Sequence, residues 1–456
     1  RNPEILAGVI KVGADVLRLN FSHGSRESHM ELIAIAREAA QRAGREVGLL
    51  GDLPGPKLRL GDIEGGVTQL RHGQSLVLTT AAVEGRRDAL PVAWTGLPAA
   101  VTANDVIYLA DGSIRLRVRE TDGSDVLTKV ETGGTVTSHQ GMNLPGADAV
   151  PASIGQADFD WIDFCCEQGI DLIAVSFVRT AGDLDAVHQR LAERGSDIPV
   201  IAKIEKSEAV DNAEEIVQAA TGGIMVARGD LGIELPIEKI PTVQKRLLGI
   251  AGRYAKPSIT ATQMLASMVR STRPTRAEAT DVANAIFDGT DALMLSEETA
   301  VGQHPVKAVQ MMARIAEETE RELPYGDWLV NRSRRVGDVA DTVSYGAVVS
   351  AYQLDLAALV VPTLSGRTAR LVSANRPRIP VLALTPRPET ARRLKLLFGV
   401  VSSSEEEGET LDDLLASCAA RAKEEGLAKS GDLIGITAGL QNQSLGTNLF
   451  EVHRVP

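Results

Sequence analysis

Cysteine is almost missing from this chain: Cys165, Cys166 and Cys418 are all it has. An adjacent pair and one distant residue make neither a disulfide framework nor a metal-ligand spacing. Buried or helical thiols in a reducing compartment are the plain reading. Aromatic residues are only 3% of the chain against 44% hydrophobic residues overall, so a large core has to be aliphatic. No uninterrupted apolar stretch reaches the roughly 18 residues of a membrane-spanning helix. The opening Arg1-Asn-Pro-Glu4 lacks the pattern of a signal peptide. A cytoplasmic protein with no membrane partner is expected. Positive charge is in deficit too. A net charge of −12 argues against nucleic acid as the main partner. It leaves an anionic substrate open, because local Lys, Arg or metal can outweigh the global sign.

What is present is a rhythm. Seven short β-like runs recur: Val16–Asn20, Val47–Asp52, Leu172–Phe177, Val200–Ile204, Ile224–Arg228, Ser258–Thr262 and Ala292–Ser296. Most give way to a helical pattern, as in Ala181–Glu193 and Pro241–Tyr254. This alternation predicts parallel strands with crossover helices. Seven is one short of the eight that close a barrel. The sequence starts where a preceding strand would have just ended.

The 456 residues suit about three domains of roughly 150 residues each. Residues 61–150 break the rhythm. They are rich in Gly, Thr and Val, with turn signals at Glu64-Gly-Gly66, Asp111-Gly112 and Thr121-Asp-Gly123. An inserted small β domain is expected there, positioned to act as a lid. It divides a barrel domain into residues 1–60 and 151–330. Residues 331–456 read as a separate three-layer α/β domain, from strand-like runs at Leu359–Thr363, Pro380–Thr385, Leu433–Thr437 and Leu449–Val455. The acidic run Glu405–Glu409 reads as a solvated loop.

Glu205 and Asp230 each end an apolar run, 25 residues apart, about one strand–helix repeat. In a parallel barrel that spacing sets both carboxylates on the catalytic rim, at the carboxyl ends of neighbouring strands. A carboxylate pair there suits a hard divalent cation, which takes one or two protein carboxylates and leaves positions for substrate oxygens. Lys203 lies two residues before Glu205, so strand alternation turns both side chains the same way. A cation beside a metal site is suited to stabilising a developing oxyanion.

Longer motifs then converge. They are Arg18-Leu-Asn-Phe-Ser-His-Gly24, Ala202-Lys-Ile-Glu205, Gly223-Ile-Met-Val-Ala-Arg-Gly-Asp-Leu-Gly232, Ala261-Thr-Gln-Met264, and Pro274-Thr-Arg-Ala-Glu278 running on to Met294-Leu-Ser-Glu-Glu-Thr-Ala300. In order and spacing, over essentially the whole chain, they resemble the signatures of the pyruvate kinase family. The resemblance implies a TIM-type (β/α)8 barrel with its first strand apparently missing, an inserted small β-barrel lid and a C-terminal α/β domain. It implies phosphoryl transfer between phosphoenolpyruvate and ADP, giving pyruvate and ATP, with Mg²⁺ or Mn²⁺, usually in a homotetramer.

The family's roles fall on matching residues. Glu205 and Asp230 match the divalent-metal ligands, which otherwise read as rim salt-bridge carboxylates. Lys203 matches the residue that stabilises the enolate and the transferred phosphoryl; a structural ion pair with Glu205 is the alternative. Gly229 and Asp230 match a strand–helix turn whose free N–H groups bind the substrate carboxylate. Thr262 matches the threonine near the protonated face of the enolate, where it orients a water or relays the proton. Arg18 and Arg59 match arginines near the phosphates, where a guanidinium fork suits phosphate oxygens. His23 matches a nucleotide-side position, and Asp111 a lid acid that closes over the nucleotide–metal complex; a packed histidine and a turn aspartate are the alternatives. Ser296 and Glu298 match a late rim motif without direct chemistry.

The sequence departs from the family in three ways, and one further loop matches it. Many members bind K⁺ through Asn, Ser, Asp and Thr oxygens. Asn20, Ser22 and Asp52 remain, but Leu53 stands at the Thr position and Lys57 at the position of a Glu. A lysine ammonium is itself a fixed monovalent cation, so an enzyme that does not require K⁺ is expected. Gln140 stands where many members have a Lys that reaches nucleotide phosphates. The family's first barrel strand is absent; a sequence that begins after it is favoured over a barrel that lacks it. Lastly, Thr363-Leu-Ser-Gly-Arg-Thr368 joins a strand to a helix. Thr363, Ser365, Gly366, Arg367 and Thr368 match the family's effector loop for phosphorylated metabolites, or form a plain helix cap.

Two rival readings stand beside this one. A metal-dependent pyruvate aldolase or lyase would also use a Glu–Asp pair, but the insertion and the C-terminal domain count against it. A catalytically impaired or truncated member of the same family is the other. The intact Lys203, Glu205, Asp230 and Thr262 count against that.

Overall fold

The structure is a computed structural model that describes residues 2–56, 58–110, 112–146, 154–331, 337–404, 410–439 and 446–456. Seven parallel strands form one curled sheet in chain order: Val16–Asn20, Gly48–Asp52, Leu172–Val175, Val200–Ile204, Gly223–Ala227, Ser258–Ala261 and Ala292–Leu293. All seven expected runs are there, trimmed by up to three residues at their ends, and the fifth begins one residue early, at Gly223. The trimmed residues carry the rim loops. Pairing in register, Lys203 with Met225 and Ile204 with Val226, aligns the carboxyl ends on one rim. Gly48–Asp52 and Gly223–Ala227 are buried at every position, because such strands are covered on both faces.

The sheet is open. Val16–Asn20 and Ala292–Leu293 are its edges, and no pairing joins them among the described residues. Outside this seam, helix Pro3–Lys11 packs against both helix Arg26–Ala43 and helix Pro305–Arg321. Asn2 starts it by accepting the N–H groups of Glu4 and Ile5. Gly8 permits the close approach: a β-carbon there would stand 3.3 Å from a Val306 methyl. The core is aliphatic, and its few aromatics are concentrated. Phe21 stacks on Trp161 at 4.3 Å between ring centres, with Phe164 edge-on to both. Cys165 is buried against this group, and its thiol is pushed up by burial. A β-carbon at Gly51 would stand 2.8 Å from both its sulfur and the Phe21 ring, so glycine is required there.

Between the second and third strands the chain forms a separate β unit with its own core, including Leu76, Leu78, Leu116 and Val130. Strands Val106–Leu109, Ile114–Thr121, Asp125–Thr132 and Ser75–Thr79 are joined antiparallel. The Asp122-Gly123 turn links the central pair: Asp122 accepts the N–H groups of Ser124 and Asp125, and Gly123 takes a φ of +94°. The C-terminal sheet has the order Val400–Ser404, Val381–Thr385, Ala358–Pro362, Leu433–Ala438, Leu449–Arg454, with only the last pair antiparallel. Val400–Ser404 is an addition to the four strands expected. Its serines disguise it. Ser402 and Ser403 are buried because they have partners: Ser402 Oγ donates to Ala391 O at 2.7 Å, and Ser403 Oγ accepts from Arg421 Nη2 at 2.6 Å. The Glu405–Glu409 run lies outside the described residues. Among the described residues, no helix is long and apolar enough to cross a membrane.

Candidate active site

Four charged side chains meet on the rim, in a buried pocket of the sheet. Lys203 Nζ lies 2.9 Å from Glu205 Oε1 and 3.2 Å from Asp52 Oδ1. Arg18 Nε lies 2.6 Å from Asp52 Oδ2. Asp52 and Glu205 are only 1% and 2% exposed, so water reaches this cluster only on the side of the part-exposed Lys203 and Arg18. Burial is the strongest influence on Lys203 and opposes its charge. Asp52 and Glu205 outweigh it and hold the ammonium well above the ordinary lysine value. Asp52 is the mirror case. Burial works against its charge, yet Lys203 and Arg18 hold its carboxyl below the ordinary range. Two cations and two carboxylates balance.

Ser176 and Phe177, just past the end of Leu172–Val175, complete the cluster. Lys203 Nζ donates to Ser176 Oγ at 2.8 Å, and Ser176 Oγ donates to Leu53 O at 2.6 Å. The Phe177 N–H donates to Glu205 Oε2 at 2.8 Å. Phe177 does this from the left-handed region, with a φ of +57°. Thr262 and Gln263 occupy the same region, at +73° and +53°. A β-branched residue there is strained, and such strain concentrates at functional sites. Arg228 holds the strained loop. It donates to Ala261 O at 3.2 Å and Thr262 O at 2.8 Å, and is anchored to Asp281 at 2.7 Å. Glu298 holds it from the other side, accepting the N–H groups of Leu265 and Ser296. Glu298 is therefore a structural residue. Ser176, Phe177 and Arg228 had one sequence signal, a position at a strand's carboxyl end; the partners themselves are far apart in sequence.

Gly229 and Thr262 are brought together: the Gly229 N–H donates to Thr262 Oγ1 at 2.8 Å, and Thr262 Oγ1 donates to Ala261 O at 2.6 Å. Asp230 is half-buried in the first turn of the short helix Arg228–Glu234. It stands three residues beyond the strand beside Glu205. Among the described residues, no group of three or more His, Cys, Asp and Glu could hold a metal. Glu205 and Asp230 are two carboxylates, hard oxygen donors, and fall short of such a group. This donor set fits a divalent cation such as Mg²⁺ that completes its shell with substrate and water oxygens.

The other expected residues are spread around the rim. Asn20 Oδ1 accepts the Ser22 N–H at 3.1 Å. Leu53 is 1% exposed and belongs to the apolar core. His23 is exposed; its carbonyl, not its ring, is bonded, to His29 Nε2 at 2.8 Å. Arg59 sits where the barrel passes into the β unit, and its Nη1 donates to His139 O at 3.1 Å. Gln140 Oε1 accepts from Thr137 at 3.0 Å. Lys57 and Asp111 lie outside the described residues. In the C-terminal domain, Gly366 opens helix Arg367–Ala374 with a φ of +78°, and its N–H donates to Thr363 Oγ1 at 3.0 Å. Arg367 pairs with Asp338, Thr368 with Thr447, and Ser365 is exposed.

Fold and rim together define a barrel enzyme with a buried, charged lysine set against a carboxylate pair. Comparison with known proteins narrows the class. Residues 1–309 match the family described as pyruvate kinase, barrel domain, and residues 341–453 match pyruvate kinase, alpha/beta domain. The chain is 42% identical over 456 residues to a pyruvate kinase of Bacillus licheniformis, covering 99% of this chain and 78% of that one. It is 40% identical over 463 residues to a pyruvate kinase of Thermococcus litoralis, covering 100% and 96%. A crystal structure of a pyruvate kinase from Cryptosporidium parvum superposes with a TM-score of 0.94 at 38% identity, covering 100% of this chain and 94% of that one. The chain belongs to the pyruvate kinase family, a family of phosphotransferases.

Proposed function

We propose that this chain transfers the phosphoryl group of phosphoenolpyruvate to ADP, giving pyruvate and ATP. One observation carries the reading: Lys203 is buried and charged, 3.2 Å from Asp52 and 2.9 Å from Glu205. Phosphoryl transfer asks mainly for positioning and electrostatic stabilisation. A charged lysine that costs no reorganisation at the moment of reaction meets that demand. Glu205 and Asp230 would hold Mg²⁺ or Mn²⁺, which when bound neutralises charge on phosphate and enolate oxygens.

Arg18 presents its guanidinium to the phosphoryl group while anchored on Asp52. The turn at Gly229 and Asp230 receives the substrate carboxylate. At rest the Gly229 N–H is taken by Thr262 Oγ1, so substrate binding exchanges that partner and frees the hydroxyl to handle the enolate proton. Arg59, His23 and Asp111 serve the nucleotide, and the β unit within residues 61–150 closes as a lid. A homotetramer in the cytoplasm completes the reading. The effector loop, with Ser365 and Arg367 exposed, answers to a phosphorylated metabolite.

The enzyme does not require K⁺ in this reading. Asp52 already carries two cations, Arg18 and Lys203, and a core leucine stands in place of the threonine. Lys57 takes the part of the ion. The test is pyruvate formation from phosphoenolpyruvate and ADP with Mg²⁺, in matched Na⁺, K⁺ and tetramethylammonium buffers. Equal rates are expected. Strong activation by K⁺ would overturn the potassium argument alone, and silence in all three would overturn the activity.

A further inference from the structure

At the feet of the strands, opposite the rim, the barrel and the C-terminal domain enclose a narrow cavity. Lys256, Pro257 and Asp291 line it from the barrel, and Arg370, Ser373 and Arg376 from the other side. Arg376 is the anchor. Its side chain is 2% exposed, bonded through Nη2 to Gly289 O at 2.5 Å and to Asp291 at 3.1 Å. The Phe398 ring lies 4.4 Å from its guanidinium carbon. Among the described residues its Nε and Nη1 have no partner, nor has Arg370 Nε. A buried guanidinium with two idle donors is costly unless something accepts from them.

The charges do not balance. Asp291 is shared, since it also accepts the N–H and hydroxyl of Ser258 at 2.9 and 3.0 Å. Glu320 faces Arg376 from a neighbouring helix; burial pushes its carboxyl up, and Arg376 pulls it back down. Among the described residues Lys256 Nζ has only carbonyl partners, Ala220 O at 2.7 Å and Gln218 O at 3.2 Å. Its value is pushed down to about 8, by burial first and by Arg370 next. Arg370 is also lowered, by burial and then by Arg367. Neither Lys256 nor Arg370 has a carboxylate within ion-pair distance among the described residues.

We propose that this cavity binds a small oxyanion, inorganic phosphate or the phosphoryl group of a small metabolite, and so bridges the barrel to the C-terminal domain. Guanidinium forks suit such oxygens. Admission requires the half-buried Lys256 and Arg370 to turn aside. The site differs from the loop Thr363–Thr368: Arg367 turns outward to Asp338, whereas Arg370 and Ser373 line the cavity against the barrel. Its position matters, because Asp291 holds Ser258, the first residue of the strand that delivers Thr262 to the rim.

The test is calorimetric titration of the intact chain with inorganic phosphate at matched ionic strength, for wild type, R370Q and K256Q. The rim can also take phosphate, so a second, independent site is expected in wild type. Its affinity falls by about tenfold or more in each variant. Both substituted residues are half-buried, and either variant that folds serves. Repeating the titration with a hexose monophosphate and a nucleoside monophosphate separates the sources. Competition assigns the site to a metabolite's phosphoryl group, and none assigns it to free phosphate. Wild-type affinity and stoichiometry retained in R370Q and K256Q would overturn the proposal.

Discussion

Lys203 and Lys256 are both part-buried lysines at opposite ends of the same sheet, and they behave in opposite ways. Lys203, on the rim, is held above the ordinary lysine value; Lys256, at the foot, is pushed down to about 8. Burial opposes the charge in both. The difference lies in the neighbours. Lys203 faces Asp52 and Glu205, whereas Lys256 faces Arg370. The rim is a closed account of two cations and two carboxylates, organised in advance of substrate. The foot has cations in excess and idle donors. The sign of a buried charge's shift therefore identifies what is present at one end and what is missing at the other.

The largest expected effect comes from breaking the balanced end. K203M removes the cation and leaves Asp52 and Glu205 buried with one partner fewer. The turnover number should fall by about 10²–10³-fold, the scale of losing one preorganised stabiliser. Stability should fall by about 3–5 kcal/mol, as when one member of a buried pair is removed. Steady-state pyruvate formation and urea unfolding check the two separately. A turnover within tenfold of wild type would leave Lys203 a purely structural ion-pair partner. The pH dependence follows from the raised folded value. Lys203 contributes its stability in full below the unfolded value of about 10.4. It loses that contribution only as pH rises through the higher folded value.

A smaller effect is expected from the residue that holds the strained loop. Arg228 fixes the carbonyls of Ala261 and Thr262. R228M should lower the turnover number by about tenfold or more with less change in KM, because Thr262 drifts from its position. R228K should recover only part, since a single ammonium cannot reproduce a guanidinium that spans two carbonyls and Asp281. Kinetics that separate the turnover number from KM give the answer; a change confined to KM would mean that Arg228 serves binding instead.

The smallest effect sharpens the comparison from the unbalanced end. Between about 8 and 10.4 the unfolded chain holds a proton on this lysine that the folded chain has released. Stability from Lys256 therefore rises with pH across that window. K256M should flatten this rise and should stabilise the protein near neutral pH by about 1 kcal/mol, a modest figure because the group is partly screened. Urea unfolding of both proteins across the window decides it. A difference between wild type and K256M that falls with pH there would show that Lys256 has a carboxylate partner after all.

Much of this protein was determined by sequence alone. Apolar runs followed by helical patterns mark seven parallel strands, since strands covered on both faces have to be apolar. The interval between Glu205 and Asp230 is one strand–helix repeat, which sets them just beyond the carboxyl ends of neighbouring strands, and alternation brings Lys203 to Glu205. The strand Val400–Ser404 was illegible, because serines read as loop until Arg421 and Ala391 are seen to bond them. Only the tertiary structure decided the rest. Asp52 meets Lys203, Arg228 meets Thr262 and Arg376 meets Asp291 across gaps in sequence that no local period spans. The positive φ of Phe177 and Thr262 has no residue signature, since neither is glycine. It persists because side chains from elsewhere hold it: Glu205 takes the Phe177 N–H, and Arg228 takes the Thr262 carbonyl. Periodic, local forces are written along the chain; charge balance and strain depend on which distant groups meet, and folding alone brings them together.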